Sequence, residues 1–255
     1  RQVYRHMDIG TGKPTLEVRA LIPHHVFDVV DPDEAFLLGT YSQFAKTAID
    51  DVRRRGHLPL LVGGTGQYVW SVVEGWNVPE VAPDSAFRLE MGTRASSEGN
   101  EALHAELERV DPEAAAHIQA TNVRRIIRAL ELHRATGELP SSLLWSKKGL
   151  SESTLVLGVG MERRKLFARA HARVDRMVLL GFAAEVRALM DGGYEPFLPS
   201  MSSIGYREMY AHVRGECDLA TAVEKTKVET HRLIRRQHTW FRPSDDRIAW
   251  IDGTE

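Results

Sequence analysis

The sequence predicts a layered α/β protein with a parallel sheet and an inserted all-helical subdomain. Three observations predict it: strand-like and helix-like segments alternate over the first third, short helical segments fill residues 84–136, and a strand pattern returns at 154–160. Alternating strands and helices are typical of a parallel sheet covered by helices. We therefore expect two parts of an α/β core, at 1–84 and 153–255, and a helical insertion at 85–152.

The first part of the predicted core contains two strands and a helix. VFDVV, at 26–30, has the composition of a short strand, and Asp31-Pro32 ends it. Apolar residues recur at helical spacing over 40–55, and Gly56 ends this helix. The continuous apolar run PLLV, at 59–62, is typical of a buried parallel strand.

The remaining elements are mostly helical. Four short helices are predicted at 84–98, 100–110, 112–119 and 122–136, followed by the polar stretch SSLLWSKKGLSES. The strand TLVLGVG comes next. Apolar positions from Leu166 to Leu189 then keep helical spacing, and a second long helix covers about 219–241.

Composition excludes several classes of protein. The 255 residues are 43% hydrophobic and 27% charged, with a net charge of −2, as in ordinary globular proteins. The single Cys217 excludes a disulfide framework and a Cys-rich zinc site, and it fits a reducing compartment. No apolar stretch reaches the roughly 18 residues of a membrane span. His24-His25 has no partner at metal-ligand spacing, and we interpret it as structural.

LLVGGTGQY, at 60–68, places two glycines and Thr65 between a strand-like and a helix-like segment. Ligands bind beyond the carboxyl ends of strands in open α/β sheets, and glycines permit a close approach of the backbone. Thr65 could therefore present its hydroxyl in an active site. A tight turn with a helix-capping threonine explains the same residues equally well.

DIGTGKP, at 8–14, resembles a phosphate-binding loop only superficially. A Walker loop needs a Gly five residues before its Gly-Lys pair and a Ser or Thr after it. Met7 and Pro14 occupy those positions here, and Pro14 cannot donate an amide hydrogen. We expect an ordinary turn.

Arginines recur at helical spacing in three segments. The three sets are Arg124, Arg125 and Arg128; Arg169, Arg173 and Arg176; and Arg232, Arg235, Arg236 and Arg242. One such stripe is usually a solvated face, but three in a chain of net charge −2 indicate a surface for phosphates and bases. We expect the acidic residues to cluster elsewhere, at 28–34 and 101–113. Arg207, near a predicted helix start, could bind an anion or form a surface salt bridge.

Eight stretches together resemble the tRNA dimethylallyltransferases, also called tRNA isopentenyltransferases. They cover nearly the whole chain, in the order RQVYRHMDIGTGKP, PHHVFDVVDP, LPLLVGGTGQY, DPEAAAHI, RRIIRALELHRATG, GFAAEVRAL, SIGYREM and RRQHTWFR. The resemblance implies a P-loop NTPase-like core with a helical insertion. It also implies transfer of a dimethylallyl group from dimethylallyl diphosphate to an exocyclic adenine amine. That adenosine lies directly 3′ of the anticodon in tRNAs reading codons that begin with U, and the base is extruded into a channel.

The same resemblance assigns roles to residues. It implies that Thr65 helps to orient the amine and that Arg207 binds the diphosphate and stabilises the leaving group. The contacts it implies with the anticodon stem-loop are Arg1, Gln2, Thr65, Arg88, Arg124, Arg125, Arg128, Gly205, Tyr206, Arg235, Arg236, Gln237, Thr239, Trp240 and Arg242. Asn122 stands where an Asp is usual, and either can cap a helix.

The start of the chain departs from the family pattern. The family's base is an Asp in an Asp-Ser-x-Gln motif, of which Arg1-Gln2 match the last two positions. We expect that Asp, and the Gly-rich loop that holds the diphosphate and Mg²⁺, upstream of Arg1. We therefore expect no metal ligand in this chain and little transferase activity from it alone. We also expect a cytoplasmic monomer that has no membrane partner.

Two other functions are compatible with the sequence. A relative that prenylates free adenine nucleotides would share the chemistry, although a mononucleotide does not require three arginine stripes. A catalytically silent RNA-binding fragment would use the stripes without the reaction. Transfer to a stem-loop, to AMP or to neither distinguishes the three hypotheses.

Overall fold

The computed structural model describes residues 1–79, 81–144, 149–150 and 153–254. The chain divides into two compact units: Arg1–Leu37, Gln43–Val69 and Ser153–Glu255 form the first, and Leu38–Ser42 and Trp70–Glu152 form the second. The helices are α1 Leu16–Leu21, α2 Leu38–Arg54, α3 Gly66–Val73, α4 Ser85–Glu98, α5 Asn100–Val110, α6 Pro112–His117, α7 Val123–Thr136, α8 Pro140–Leu144, α9 Arg163–Leu179, α10 Phe182–Asp191, α11 Tyr206–Val213 and α12 Leu219–Trp240. The strands are β1 Val156–Gly160 and β2 Ile248–Asp252.

The second unit is helical, as its sequence predicts. Helices α4 to α7 coincide closely with the four predicted segments, because each buries one apolar face, and α4 and α6 also begin at a capping side chain. Asp84 caps α4 by accepting the Phe87 N–H at 3.0 Å, and Asp111 caps α6 by accepting the Ala114 N–H at 2.9 Å. The buried side chains of this unit include those of Phe87, Met91, Leu103, Leu107, Ile126 and Leu130. The predicted boundary at residue 152 lies outside the described residues, as do 145–148 and 151 of the polar stretch before it.

The first unit combines a small parallel sheet with long helices. Strands β1 and β2 pair in parallel, from Val156 opposite Ile248 to Gly160 opposite Asp252. The buried core lies between the N-terminal loop and helices α10 to α12, and it includes Val3, Tyr4, Met7, Phe182, Val186, Tyr206 and Met209. The mixed α/β class is therefore confirmed, as are the predicted strand at TLVLGVG and helices α2 and α12.

Two predicted strands are wrong. Residues 26–29 are irregular, because Val26 and Asp28 have φ angles of 63° and 54°, and only Val30 makes a bridge, to Tyr4. PLLV is not a buried strand either: it has no ladder partner in the described part of the chain, and Val62 is 90% exposed. A strand needs a neighbouring strand for its backbone hydrogen bonds. An apolar run of four residues indicates burial but does not show which segment would pair with it.

The apolar stripe from Leu166 to Leu189 belongs to two helices. Helix α9 ends at Leu179, and α10 begins at Phe182 after Gly181, whose φ is 96°. Strand β2 was not predicted. Its only local signal is the run IAWI, which follows a polar turn. Within the described residues, no helix is long and apolar enough to cross a membrane.

Candidate active site

The Gly-Gly-Thr-Gly turn lies directly before α3. The Thr65 carbonyl accepts the N–H groups of Tyr68 and Val69 at 2.9 and 3.0 Å, so the backbone of Thr65 starts the helix. Its side chain is exposed, and the hydroxyl has no hydrogen-bond partner among the residues that the structure describes. The sequence allowed the Thr65 hydroxyl either to cap the helix or to serve an active site. Because the backbone starts the helix, the hydroxyl is left available to a ligand.

The glycines of this turn admit side chains from the end of α12. A Cβ on Gly64 would collide with the Gln237 amide, and a Cβ on Gly66 would collide with the Trp240 ring. Gln237 Nε2 also donates to the Gly64 carbonyl at 3.1 Å. Gly63 has open space around it. The turn and the last turns of α12 therefore form one packed structure.

Helix α12 also connects this turn to Arg207. Glu229, two turns before Gln237, lies between Arg207 Nη2, 3.9 Å away, and Arg232 Nη1, 2.5 Å away. Eight residues of helix span about 12 Å. A shallow groove of about 530 Å³ runs along this face, and its lining residues are Glu229, Arg232, Arg235, Arg236 and Thr239. Helix α12 thus carries a basic groove, contacts Arg207 through Glu229 and contacts the Thr65 turn through Gln237.

Arg207 lies in the first turn of α11, as the sequence predicts. Its Nε and Nη2 donate to Glu208 Oε1 at 2.9 and 2.7 Å, and the other Glu208 oxygen accepts the Gly205 N–H at 2.8 Å. The Glu208 hydrogen bond raises the pKa of Arg207. The Arg207 side chain is 62% exposed, so it has a salt bridge and remains accessible to an anion.

Gly205 and Tyr206 have structural roles, so their assignment as tRNA contacts stays a prediction that concerns their backbone atoms alone. Tyr206 is fully buried, and its hydroxyl donates to Glu185 Oε1 at 2.7 Å. Gly205 has a φ of 88°, and a Cβ there would press on Phe182. Neither residue presents a side chain to RNA.

The loop at 8–13 is a turn held from several sides. Glu185 of α10 accepts the N–H groups of Asp8, Ile9 and Gly10 at 2.9, 2.7 and 3.1 Å. Lys13, which a phosphate loop would leave free, is buried and donates to the Tyr4 carbonyl at 2.6 Å. Gln2 Nε2 donates to the Gly12 carbonyl at 3.1 Å, while the neighbouring Arg1 is exposed. The expectation of an ordinary turn is confirmed.

In the helical unit, four predicted RNA contacts lie on or against α7. Arg124 and Arg125 are exposed at its start, whereas Ile126, Ile127 and Leu130 are buried, as predicted. Arg128 shares the buried carboxylate of Glu131 with Arg88 of α4. Asn122 occupies the capping position of α7, but its side chain makes no capping hydrogen bond.

The remaining candidates lie at the end of α12. Arg235, Arg236 and Thr239 are exposed, and the Thr239 hydroxyl donates to the Arg236 carbonyl at 2.8 Å. Arg242 follows the helix and is also exposed, and Trp240 is 37% exposed. These residues thus lie beside the Thr65 turn or on the same helix.

The expectation that acidic residues cluster away from the arginines is wrong. Glu131, Glu208 and Glu229 each pair with an arginine of the predicted site. None of these three pairs was predicted, although two of the glutamates stand three residues from their arginine and the third is adjacent to it. Such spacing allows side chains on one helix to meet.

These features define a class of protein. It is an α/β protein in which an arginine-rich surface lies beside a Gly-rich turn with an exposed threonine hydroxyl. The sequence profile described as "IPP transferase" matches residues 2–244. The chain belongs to the tRNA dimethylallyltransferase family, and it is therefore a prenyltransferase. The predicted family is thereby confirmed.

Individual relatives agree with this assignment. The chain is 46% identical over 250 residues to the tRNA dimethylallyltransferase of Chloroflexus aurantiacus, covering 98% of this chain and 84% of that protein. It is 50% identical over 242 residues to that of Roseiflexus castenholzii, covering 95% and 79%.

Solved structures show the same fold. The tRNA isopentenylpyrophosphate transferase of Bacillus halodurans is similar with a TM-score of 0.68 at 39% identity, covering 98% of this chain and 78% of that one. A eukaryotic dimethylallyltransferase whose structures describe its action on tRNA is similar with a TM-score of 0.78 at 26% identity, covering 98% and 65%.

Proposed function

We propose that the protein transfers a dimethylallyl group from dimethylallyl diphosphate to the exocyclic amine of the adenosine directly 3′ of the anticodon. The substrates are tRNAs that read codons beginning with U. The observation that carries the proposal is the basic face of α12, which connects the Thr65 turn with Arg207. Family membership supports the reaction, and this geometry supports the division of roles between the two residues.

The reaction forms one bond and breaks one. The adenine amine attacks the first carbon of the dimethylallyl group, and the carbon–oxygen bond to the diphosphate breaks with its electron pair leaving on the diphosphate. The amine loses a proton to a general base, for which the resemblance predicts an Asp. Thr65 orients the amine through its hydroxyl. Arg207 neutralises the charge that develops on the departing oxygen, as positioned cations do in such sites.

The arginines of α12 supply the anion-binding surface beside these two residues. Arg232 is paired with Glu229, whereas Arg235 and Arg236 are exposed and line the same groove. Planar guanidinium groups suit phosphate oxygens. We assign Arg207 to the diphosphate and the groove at Arg235 and Arg236 to RNA phosphates.

The Mg²⁺ that the resemblance implies is not assigned to residues of this chain. No group of three or more His, Cys, Asp or Glu side chains arranged for a metal ion lies among the described residues. The monomeric state, the cytoplasmic location and the tRNA contact of the helical unit stay predictions.

The test measures transfer of the labelled dimethylallyl group from its diphosphate, with Mg²⁺, to an anticodon stem-loop, by the whole protein with any residues that precede Arg1 included. We expect label in a stem-loop with adenosine directly 3′ of the anticodon, and none when inosine, which lacks the amine, replaces it. Anticodons ending in A, which pair with a first codon base U, should be preferred. Label in AMP alone would favour the nucleotide prenyltransferase, and binding of the stem-loop without transfer would favour the silent RNA-binding protein.

Variants test the two roles. Arg207→Ala should lower kcat by about a hundredfold, since removal of one charge-stabilising donor costs that much in other enzymes. Arg214→Ala is the matched control, because Arg214 ends the same helix and pairs with the exposed Glu216. Thr65→Ala should lower kcat more than it changes the KM for the stem-loop, and Thr65→Ser should restore activity. Equal activity of all four variants would contradict both assignments.

A further inference from the structure

Glu131 is a buried carboxylate in a helix that carries predicted RNA contacts. Its side chain is 2% exposed, and each of its two oxygens accepts two hydrogen bonds. Oε1 accepts from the Asp84 N–H and Arg88 Nε, both at 2.8 Å. Oε2 accepts from Arg88 Nη2 at 2.7 Å and Arg128 Nη1 at 2.5 Å. The carboxylate therefore connects α7 to the start of α4.

The Glu131 carboxylate stays ionised at neutral pH and well below it. Burial by itself would raise the pKa of Glu131, but hydrogen bonds from Arg88, Arg128 and the Asp84 N–H outweigh it and lower the pKa to about 2. A buried charge is tolerated when all its hydrogen-bonding positions are filled. Removal of that charge would leave both guanidinium groups without their partner.

The two arginines are ordered and yet accessible. Their side chains are 42% and 29% exposed for Arg88 and Arg128. Arg128 is fixed further by donating from Nη2 to the Val81 carbonyl at 3.0 Å. A free arginine loses up to roughly 2 kcal/mol of rotamer entropy when it is immobilised by a ligand. Here folding has already imposed most of that loss, so the ligand does not incur it again.

The surroundings indicate which ligand such a pair would suit. Arg124 lies one helical turn before Arg128, on the same face of α7, and is exposed. Arg88 and Arg128 sharing one carboxylate keep a net charge of +1, to which Arg124 adds another. Fixed guanidinium groups along a helix match phosphates at fixed spacing, as in a structured RNA, better than those of a flexible strand.

We propose that Glu131 is a positioning residue that holds Arg88 and Arg128 as a preorganised pair for backbone phosphates of the tRNA stem-loop. This inference rests on the proposed function. Glu131 itself touches no substrate. It determines where the two guanidinium groups point, and thereby favours folded RNA over unstructured RNA.

Binding measurements on a double-mutant cycle test the inference. The Kd is measured for the stem-loop and for an unstructured RNA of equal length, with the parent, Arg88→Ala, Glu131→Gln and the double variant. Arg88→Ala should weaken stem-loop binding about tenfold in the parent but less than about threefold in the Glu131→Gln background. Glu131→Gln should weaken binding of the stem-loop more than that of the unstructured RNA. Glu106→Gln, which removes the Arg94 partner on α5, is the matched control and should change neither Kd.

The outcomes separate this inference from the proposed function. Parent protein that neither binds nor modifies the stem-loop overturns the proposed function. Parent protein that does both, with a Glu131→Gln variant whose two Kd values are unchanged or are raised by the same factor, overturns only the positioning role. If Glu131→Gln does not fold, Arg128→Lys keeps the charge but loses the guanidinium fork. It should then lose preference for the stem-loop, and retention of that preference would refute the inference.

Discussion

Gly66→Ala tests whether α12 really packs into the Gly-rich turn. Gly66 is the first residue of α3, and a methyl group there would collide with Cβ and the ring of Trp240. Gly66 has no left-handed backbone angle that alanine would have to avoid. The perturbation is therefore the contact with one side chain.

Two opposing terms give the magnitude. Alanine stabilises a compatible helical position by about 0.4–1 kcal/mol relative to glycine, whereas overpacking by a methyl group costs about 1–3 kcal/mol. The ring of Trp240, which is 37% exposed, can rotate outward, but its Cβ also lies in the way, which places the cost near the middle of this range, at about 2 kcal/mol. We expect a net loss of about 1 kcal/mol in the free energy of unfolding, together with a lower kcat because the Thr65 turn moves.

Urea unfolding and the transfer assay measure both effects, and neighbouring glycines supply the controls. Gly63→Ala should change the free energy of unfolding by less than about 0.5 kcal/mol, because nothing lies within contact of its Cβ. Gly64→Ala should fall between the two, since the Gln237 amide is the mobile end of a flexible side chain. If Gly66→Ala is as stable and active as Gly63→Ala, the packing described for this turn is wrong.

Three further predictions concern stability. Because the folded-state pKa of Glu131 lies below its ordinary value of 4.5, its contribution is present above pH 4.5 and is lost as the pH falls towards about 2. The destabilisation of Glu131→Gln in urea should therefore shrink over that pH range; a constant difference would contradict it. Asp111→Ala should cost about 2–3 kcal/mol, since it removes the α6 cap and the partner of the Ser141 N–H, 2.7 Å away. Asp218→Ala, at the exposed cap of α12, should cost about 1 kcal/mol by the same measurement, and the reverse order would refute this account. Val62→Ser should change stability by less than about 0.5 kcal/mol, whereas Leu103→Ala, in the helical core, should cost about 2–5 kcal/mol; a large loss for Val62→Ser would show that PLLV is buried after all.

Helices were easier to predict here than strands, for a physical reason. A helix forms its hydrogen bonds within itself, so the spacing of Leu103, Leu107, Ile126 and Leu130 contains enough information to place α5 and α7. A strand depends on a partner elsewhere in the chain. PLLV has the composition of a strand without a described partner, whereas β2 was overlooked although it pairs with β1 over five residues.

The candidate site shows the same division. The turn at Thr65 and the helix start at Arg207 could be predicted from local signals, and the resemblance assigned roles to both. The approach of Gln237 and Trp240 to Gly64 and Gly66 could not be predicted, because it joins segments that are about 170 residues apart in sequence. The burial of Tyr206 was equally hidden, since a tyrosine beside an arginine has the composition of an RNA contact.

The pairing of arginines with glutamates explains how a chain of net charge −2 can present a basic surface. Glu131 and Glu208 are buried beneath arginines that remain partly exposed, so solvent meets the cations more than the anions. Each pair contributes little net charge, which limits non-specific attraction to any polyanion, because that attraction scales with the number of cations neutralising phosphates. The cations that remain are fixed in direction by their buried partners. Under the proposed function, such a surface would discriminate by the positions of phosphates rather than by their number, as the selection of a folded stem-loop requires.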